Sequence, residues 1–265
     1  MFKEGNYRIT VIMGIYNCAS TLVEALDSLY TQTYKNFKII LCDDGSTDNT
    51  YQVAQNYSKD KKNIILIKNE HNLKLAATLN RCLEFADTEY VARMDGDDIS
   101  LPTRFEKEIN FLDYHPEYAL VSCPMVYFDE TGDWKEGKAV EKPQKNDFKF
   151  GTPFCHAPVM MRTNILKQIG GYTSNKLTER REDYYLWYNF YANGYIGYNL
   201  QEHLYKMRND INAFKRRKPI DRWRAFILSS RIRKRFKIRY PYICGIPSLL
   251  KIFIPASIAN HIRKL

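Results

Sequence analysis

The sequence predicts an α/β fold: a doubly wound, mostly parallel sheet with a basic extension at its C-terminal end. Three observations carry this. Apolar runs of strand length alternate with segments of helical spacing through about Phe128, the pattern of right-handed βαβ units. Two acidic turns follow the second and fourth runs, at the carboxyl ends of strands where such sheets bind ligands. And the basic excess is local. Residues 215–239 hold twelve Lys/Arg against Asp221 alone, a net +11, so the rest of the chain sums to −1 of the formal +10.

The elements follow in order. Ile9 to Asn17 is a continuous apolar strand, and "STLVEALDSLYTQT" has helical spacing with a capping-box pattern from Thr21 to Glu24. "FKIILC" is a second strand ending at the turn cluster "DDGSTDNT", and "TYQVAQNYS" is a short helix. "NIILIK" is a third strand and "LAATLNRCLEFA" a helix; "EYVARM" is a fourth strand running into "DGDD". "PTRFEKEINFLDYH" opens on Pro102, suited to a first helical turn. "YALVSCPMVYF" is a fifth strand, after which the rhythm breaks. "GTPFCHAPVMMR" is a further strand, "NILKQIGGY" a helix closed by Gly170 and Gly171, and "EDYYLWYNFYANGY" an aromatic helix starting at Glu182 and Asp183. With no repeat and no Gly/Ser linker, residues 1–212 are expected to form one body and 213–265 the extension.

Composition narrows the function. A body near neutrality argues against a nucleic-acid-binding surface and for a local anionic partner of the tail. The six cysteines are widely spaced without a CxxC pair, as expected of reduced, mostly buried thiols in a cytosolic protein. "MFKEGNYRIT" holds no signal-peptide core, and no run of eighteen apolar residues occurs.

Asp95, Asp97 and Asp98 crowd three carboxylates into one turn. Like charges this close are unfavourable unless a cation sits among them. A D-x-D pair suits a hard divalent ion, Mn²⁺ or Mg²⁺, with coordination positions left for phosphate oxygens. Such an ion would neutralise charge on a departing diphosphate. The bland alternative is a solvated turn with Asp98 capping the next helix.

Taken together, "VIMGIYN", "LCDDGSTDNT", "HNLKLAATLN", "EYVARMDGDDISLPTRF", "HAPVMMR", "GGY" and "EDYYLW" resemble family two of the inverting, sugar-nucleotide-dependent glycosyltransferases, which have the GT-A fold. The resemblance spans about residues 8–210. It implies that Tyr16 flanks the nucleotide base and that Asp44 hydrogen-bonds the base edge. Asn80 and Arg93 would lie close to the nucleotide, and Asp95 on the ribose side. Asp97 would be the metal ligand with Asp98 supporting, Asp183 the general base, and Arg208 a neighbour of the diphosphate. His156 matches the His before "PSV" in many members. Three departures stand out: Lys74 where a glycine is often found, "HAPV" for "HPSV", and no "QxxRW" after the "ED" helix, which argues against a processive polymerase.

Several of these residues also have a structural reading. Asp183 could merely favour a helix start. Asp44 could close its own turn, and Asp43 is the more structural of that pair. His156 could be a satisfied, half-buried histidine. Trp187, Tyr184 and Tyr185 read mainly as core, with one available to stack on an acceptor sugar. The tail is either a helix folded onto the body or a basic amphipathic element on an anionic membrane surface.

The expected activity is metal-dependent, inverting transfer of one sugar from a nucleoside-diphosphate sugar, UDP being the expected nucleotide. The acceptor would be a hydroxyl of a surface glycan carried on a lipid, the protein sitting peripherally on the inner face of the plasma membrane. The rivals are a nucleotidyltransferase, which would carry a Gly-rich phosphate loop where this chain has "GIYNCAS", and a non-catalytic sugar-nucleotide-binding protein at the membrane.

Overall fold

The computed structural model describes residues 7–209, 219–246 and 249. Strand β1 (Ile9–Ile15) lies between β2 (Phe37–Asp43) and β4 (Tyr90–Arg93), parallel to both, and β3 (Ile64–Lys68) pairs with β2. The chain thus builds β1, β2 and β3 to one side and returns to place β4 on the other side of β1. The turns after β2 and β4 therefore open on the same crevice above β1, a topological switch point.

The alternation of side chains along β1 divides the core. Ile9, Val11, Met13 and Ile15 point to one face, against α1 (Leu22–Tyr30), α2 (Thr50–Ser58) and α4 (Arg104–Tyr114). Ile12 points to the other, with α3 (Leu75–Glu84), α5 (Thr163–Gln168) and α6 (Glu182–Ala192). Burial on both faces explains why these strands read as unbroken apolar runs rather than as alternation.

The expected fifth strand is two. Leu120–Ser122 (β6) joins the main sheet and Val126–Asp129 (β7) a second one, with Pro124 between them. A proline lacks the N–H a central ladder needs, so the chain changes sheets there. Met160–Arg162 (β9) is all that becomes strand in "GTPFCHAPVMMR", and it is antiparallel between β4 and β6. Gly197–Asn199 (β10) adds to β6. The second sheet runs β5 (Ile99–Ser100), β11 (Tyr205–Arg208), β7, β8 (Gly132–Glu136). None of β5, β8, β10 and β11 was expected; they are two to five residues long, too short to show periodicity.

The Thr21–Glu24 capping box does not form. Thr21 Oγ1 donates to the Gly96 carbonyl (2.9 Å), and Glu24 instead pairs with Arg208 (2.6 Å).

The basic segment is helical as α7 (Pro219–Arg235). Leu228, Ile232 and Ile238 are buried in the same core cluster as Trp187 and Phe190 of α6. Of the two readings of the tail, packing on the body holds for this part; residues 210–218 and most of those beyond 246 lie outside the described residues. No described helix is long and apolar enough to cross a membrane. Because Ile232 is a core residue, Ile232→Ala should cost about 2–4 kcal/mol in urea unfolding. A loss below about 0.5 kcal/mol would mean that α7 is a detachable appendage.

Candidate functional site

At the crevice, Gly45 makes the first contact possible. Its φ is +65°, and a Cβ there would meet the His71 backbone at 2.7–2.8 Å. The loop 71–74 can therefore close over the turn after β2. Asp44, buried, accepts from Asn69 Nδ2 (2.8 Å) and from the backbone N–H groups of Leu73 (2.8 Å) and Lys74 (3.0 Å). Asp43 accepts from the Ser46 N–H and is fully buried. The closing role weighed for Asp44 is present, and the residue also lines an open cleft.

That cleft has a volume of about 460 Å³. Tyr16, Asp44 and Lys74 form one wall, and the segment Ser174–Glu182 the other. Tyr16 is 46% exposed, an available aromatic face. Lys74 caps the start of α3 at φ 73°, ψ 160°, a region glycine occupies almost alone. The glycine habit that Lys74 breaks is thus a backbone requirement at this position.

The second acidic turn stands at the end of β4. Gly96 is needed there too, since a Cβ would come within 2.7 Å of Cys18 Sγ and 3.1 Å of an Ile15 methyl. Arg93, buried, pairs with Asp95. Burial opposes its charge, but Asp95, Tyr205, Tyr172 and Asp98 outweigh that and hold it firmly protonated. Asp98 does not cap α4. It is buried, and its Oδ1 accepts the Arg208 N–H (2.7 Å). Burial, then the charges of Asp95 and Asp97, pushes the Asp98 carboxyl well above the ordinary carboxylate range. Arg208 arrives because β11 runs antiparallel to β5, the two residues just after Asp98. Its Nε donates to the Asp97 carbonyl (3.0 Å), and its guanidinium lies 4.5 Å from the Phe128 ring centroid.

The far side is the first turn of α6. Glu182 lines the cleft beside Asp183. Burial, then Asp183, pushes the Glu182 carboxyl up to about 7, with Arg93 opposing. The Tyr172 phenol feels Arg93, Glu182, Asp95 and Asp183 together, so the α6 acids and the β4 turn share one electrostatic neighbourhood. His156 meets the Tyr172 hydroxyl at 3.0 Å, and burial followed by Arg93 keeps its pKa well below the ordinary value. It is a neutral, satisfied histidine.

The structure thus gathers Arg93, Asp95, Asp97, Asp98 and Arg208 at one turn and sets Tyr16 and Asp44 on the neighbouring cleft wall. Asn80 is placed differently: its amide donates to the Tyr172 carbonyl (2.7 Å) and accepts the Tyr172 N–H (2.8 Å). Both ends are spent on clamping the loop after α5. Trp187 and Tyr184 are core residues. Sequence reasoning passed over Glu182, the Ser174–Arg180 wall and Tyr205, whose hydroxyl accepts the Asp95 N–H (3.2 Å). Glu182 could have been found as the other half of the "ED" pair; the wall and Tyr205 carry no sequence signal.

This is a crevice at the switch point of a doubly wound sheet, bordered by an acidic turn, where sheets of this class bind ligands. The chain belongs to Glycosyl transferase family 2, whose profile matches residues 10–170. It is 43% identical over 259 residues to the putative glycosyltransferase EpsE of Bacillus subtilis, covering 97% of this chain and 93% of that one. A relative from Escherichia coli, the UDP-Glc:α-D-GlcNAc-diphosphoundecaprenol β-1,3-glucosyltransferase WfaP, is 31% identical over 186 residues, 70% of this chain and 71% of that one. Among solved structures, S. aureus TarS 1–349 in complex with UDP-GlcNAc aligns with a TM-score of 0.66 at 20% identity, over 93% of this chain and 71% of that one. The mannosyltransferase PcManGT of Pyrobaculum calidifontis, in complex with GDP-Man and Mn²⁺, aligns at 0.64 and 19% identity, over 95% and 71%. The expected GT-A architecture is therefore the observed one.

The raised Glu182 pKa has a thermodynamic consequence. Between the ordinary glutamate range and about pH 7 the unfolded chain has released this proton and the folded one has not. The contribution of this group to folding stability should therefore be fullest in acid and fall as pH rises through 5 to 7, by up to about 3 kcal/mol. Glu108, buried against Arg104 and also raised to about 7, adds in the same direction. Thermal unfolding across pH 4.5–7.5 should show a shallower slope for Glu182→Gln than for the wild type; identical slopes would show that Glu182 titrates normally.

Proposed function

We propose that the protein transfers one sugar from a UDP-sugar to a hydroxyl of a lipid-linked glycan, with inversion. The observation that carries this is the meeting, at one switch point, of the Tyr16–Asp44 cleft, the Asp95–Asp98 turn and the first turn of α6. Tyr16 would lie against the base, Asp44 would read its edge, and Asp95 would face the ribose. UDP as nucleotide is supported by the UDP-GlcNAc complex of TarS and by the UDP-sugar named for WfaP.

A divalent cation fits the donor set. Among the described residues no group of three or more His, Cys, Asp or Glu side chains is placed to hold a metal ion, so a divalent cation here would need further ligands from the diphosphate oxygens. Asp97 would be its ligand, with Asp98 in support, and the Mn²⁺ complex of PcManGT is in keeping with this. When bound, such an ion would offset the charge developing on the leaving diphosphate.

Asp183 would accept the proton of the acceptor hydroxyl. The hydroxyl oxygen then bonds to the anomeric carbon as the carbon–oxygen bond to the β-phosphate breaks. The bonding pair leaves on the diphosphate, and one displacement inverts the centre. Arg208 would meet phosphate oxygens of the donor. Asn80 acts at one remove, by holding Tyr172.

The two acids should separate cleanly. Asp183→Asn should bind UDP-sugar as the wild type does and lose about 10²–10⁴-fold in turnover. Asp97→Asn should instead lose the Mn²⁺-dependent part of UDP affinity in calorimetry. Wild-type turnover in the first or an unchanged Mn²⁺ effect in the second would remove that residue from its role.

The outward face of the C-terminal part supports membrane contact. Trp223, Tyr242 and Ile243 are exposed among Arg and Lys residues of 222–239. Basic residues near an anionic leaflet contribute about 1 kcal/mol each, weakened by salt. The protein should co-sediment with phosphatidylglycerol vesicles more than with phosphatidylcholine ones, and less as salt rises. Equal partition into both would refute peripheral attachment through this face.

A further inference from the structure

A second cleft, of about 440 Å³, lies between a short 3-10 helix (Lys145–Lys149), the start of α6 and α7. Lys149, Arg181 and Arg233 line it together with Phe150, Tyr184 and Phe226, and no lining residue is acidic. Among the described residues none of the three cations is in an ion pair. Arg233 is the telling one. It is 5% exposed, yet its guanidinium meets only neutral oxygens: the Phe148 carbonyl (2.9 Å), Ser229 Oγ (3.4 Å) and the Pro241 carbonyl (3.5 Å). Arg181 lies over the Tyr184 ring at 5.9 Å. A buried charge without a counter-charge is strongly unfavourable. Arg233 buried, with Lys149 and Arg181 half-buried beside it, makes a cavity that fits an anion supplied from outside, and the planar guanidinium suits phosphate oxygens.

Two further features specify the ligand. The rim is apolar: Phe150 is 88% exposed, and Ile243, beside the lining residue Cys244, is 61% exposed. The cleft also lies on the other side of the α6 start from the donor cleft. Arg180 and Glu182 line the donor cleft, Arg181 and Tyr184 line this one, and Asp183 falls between them in the chain. Arg181 is two residues from Asp183, at most about 7 Å of chain.

We propose that this cleft holds the phosphate head of an isoprenoid-linked sugar acceptor. Lys149, Arg181 and Arg233 take the phosphate oxygens, Phe150 and Ile243 take the start of the lipid chain, and the sugar reaches toward Asp183. The role of Asp183 rests on the proposed function; the phosphate site itself does not.

The test is calorimetry of the full-length protein with farnesyl diphosphate, in saturating UDP so that the donor cleft is filled. Wild-type protein should bind it. The double variant Lys149→Gln/Arg181→Gln, altering two side chains that are not fully buried, should bind it at least about 10-fold more weakly, with an unchanged thermal shift on UDP. Farnesol and inorganic pyrophosphate should each bind at least about 10-fold more weakly than farnesyl diphosphate. Unaltered farnesyl diphosphate binding in the double variant overturns the site. Pyrophosphate binding as tightly as farnesyl diphosphate makes it a free-phosphate site and overturns the lipid assignment. A wild type that fails to respond to UDP strikes the donor reading instead, and leaves the farnesyl diphosphate comparison standing.

Discussion

Arg93 is the charge on which the site depends. It is buried at the end of β4, and Asp95, Asp98, Glu182, Tyr172 and Tyr205 all sense it or are sensed by it. Asp95, Asp97 and Asp98 stand in one turn and Glu182 and Asp183 at the start of α6, and carboxylates so grouped raise one another's pKa unless a cation offsets them. One guanidinium does not balance five acids. Arg208 brings a second from β11, but Glu24 shares it. Asp98 and Glu182 are both displaced upward, first by burial and then by the neighbouring carboxylates. In the proposed reaction a divalent ion would take up part of that surplus on the donor side, while Asp183 would take up a proton on the acceptor side.

The sheet was largely legible because its logic is local. β1, β2 and β3 are apolar on both faces and end at turn residues, so strand, helix and turn each carry their own signal. The crevice could be located before any coordinates, since connection order alone puts the turns after β2 and β4 over β1. For the same reason the Asp44 turn and the Asp95–Asp98 turn were expected at one place and lie there.

What failed to show in the sequence depends on partners remote in the chain. Asp98 looked like a helix cap because a helical segment follows it in the sequence; that helix starts only at Arg104, and the group that claims Asp98, the N–H of Arg208, is 110 residues away. The family resemblance put Asn80 close to the nucleotide, but the Tyr172 backbone, 92 residues on, takes both ends of its amide. Pro124 was absorbed into an apolar run, although its missing N–H moves the chain from one sheet to another. The tail resisted for a different reason. A helix rich in Arg with Leu228 and Ile232 on one stripe can bury that stripe against protein or lipid, and only the α6 face it meets decides between them.

Lys74 shows strain and charge meeting at one position. Its backbone sits where non-glycine residues are held at a cost of about 1–3 kcal/mol. The position is over-determined: the Lys74 N–H reaches both Asp44 Oδ2 (3.0 Å) and Asn72 Oδ1 (3.1 Å), and Thr78 returns a hydroxyl to the Lys74 carbonyl (3.1 Å). Glycine would satisfy the same bonds without the strain, so the bonds do not explain the lysine. Its side chain does differ from glycine in one respect that matters here, a cation on the wall of the cleft that also holds Asp44 and Tyr16. Against an anionic nucleotide that charge would act at short range in a partly enclosed cleft, where screening is weakest. The departure from the family pattern and the backbone strain are thus one feature, and it lies on the wall where the donor is proposed to bind.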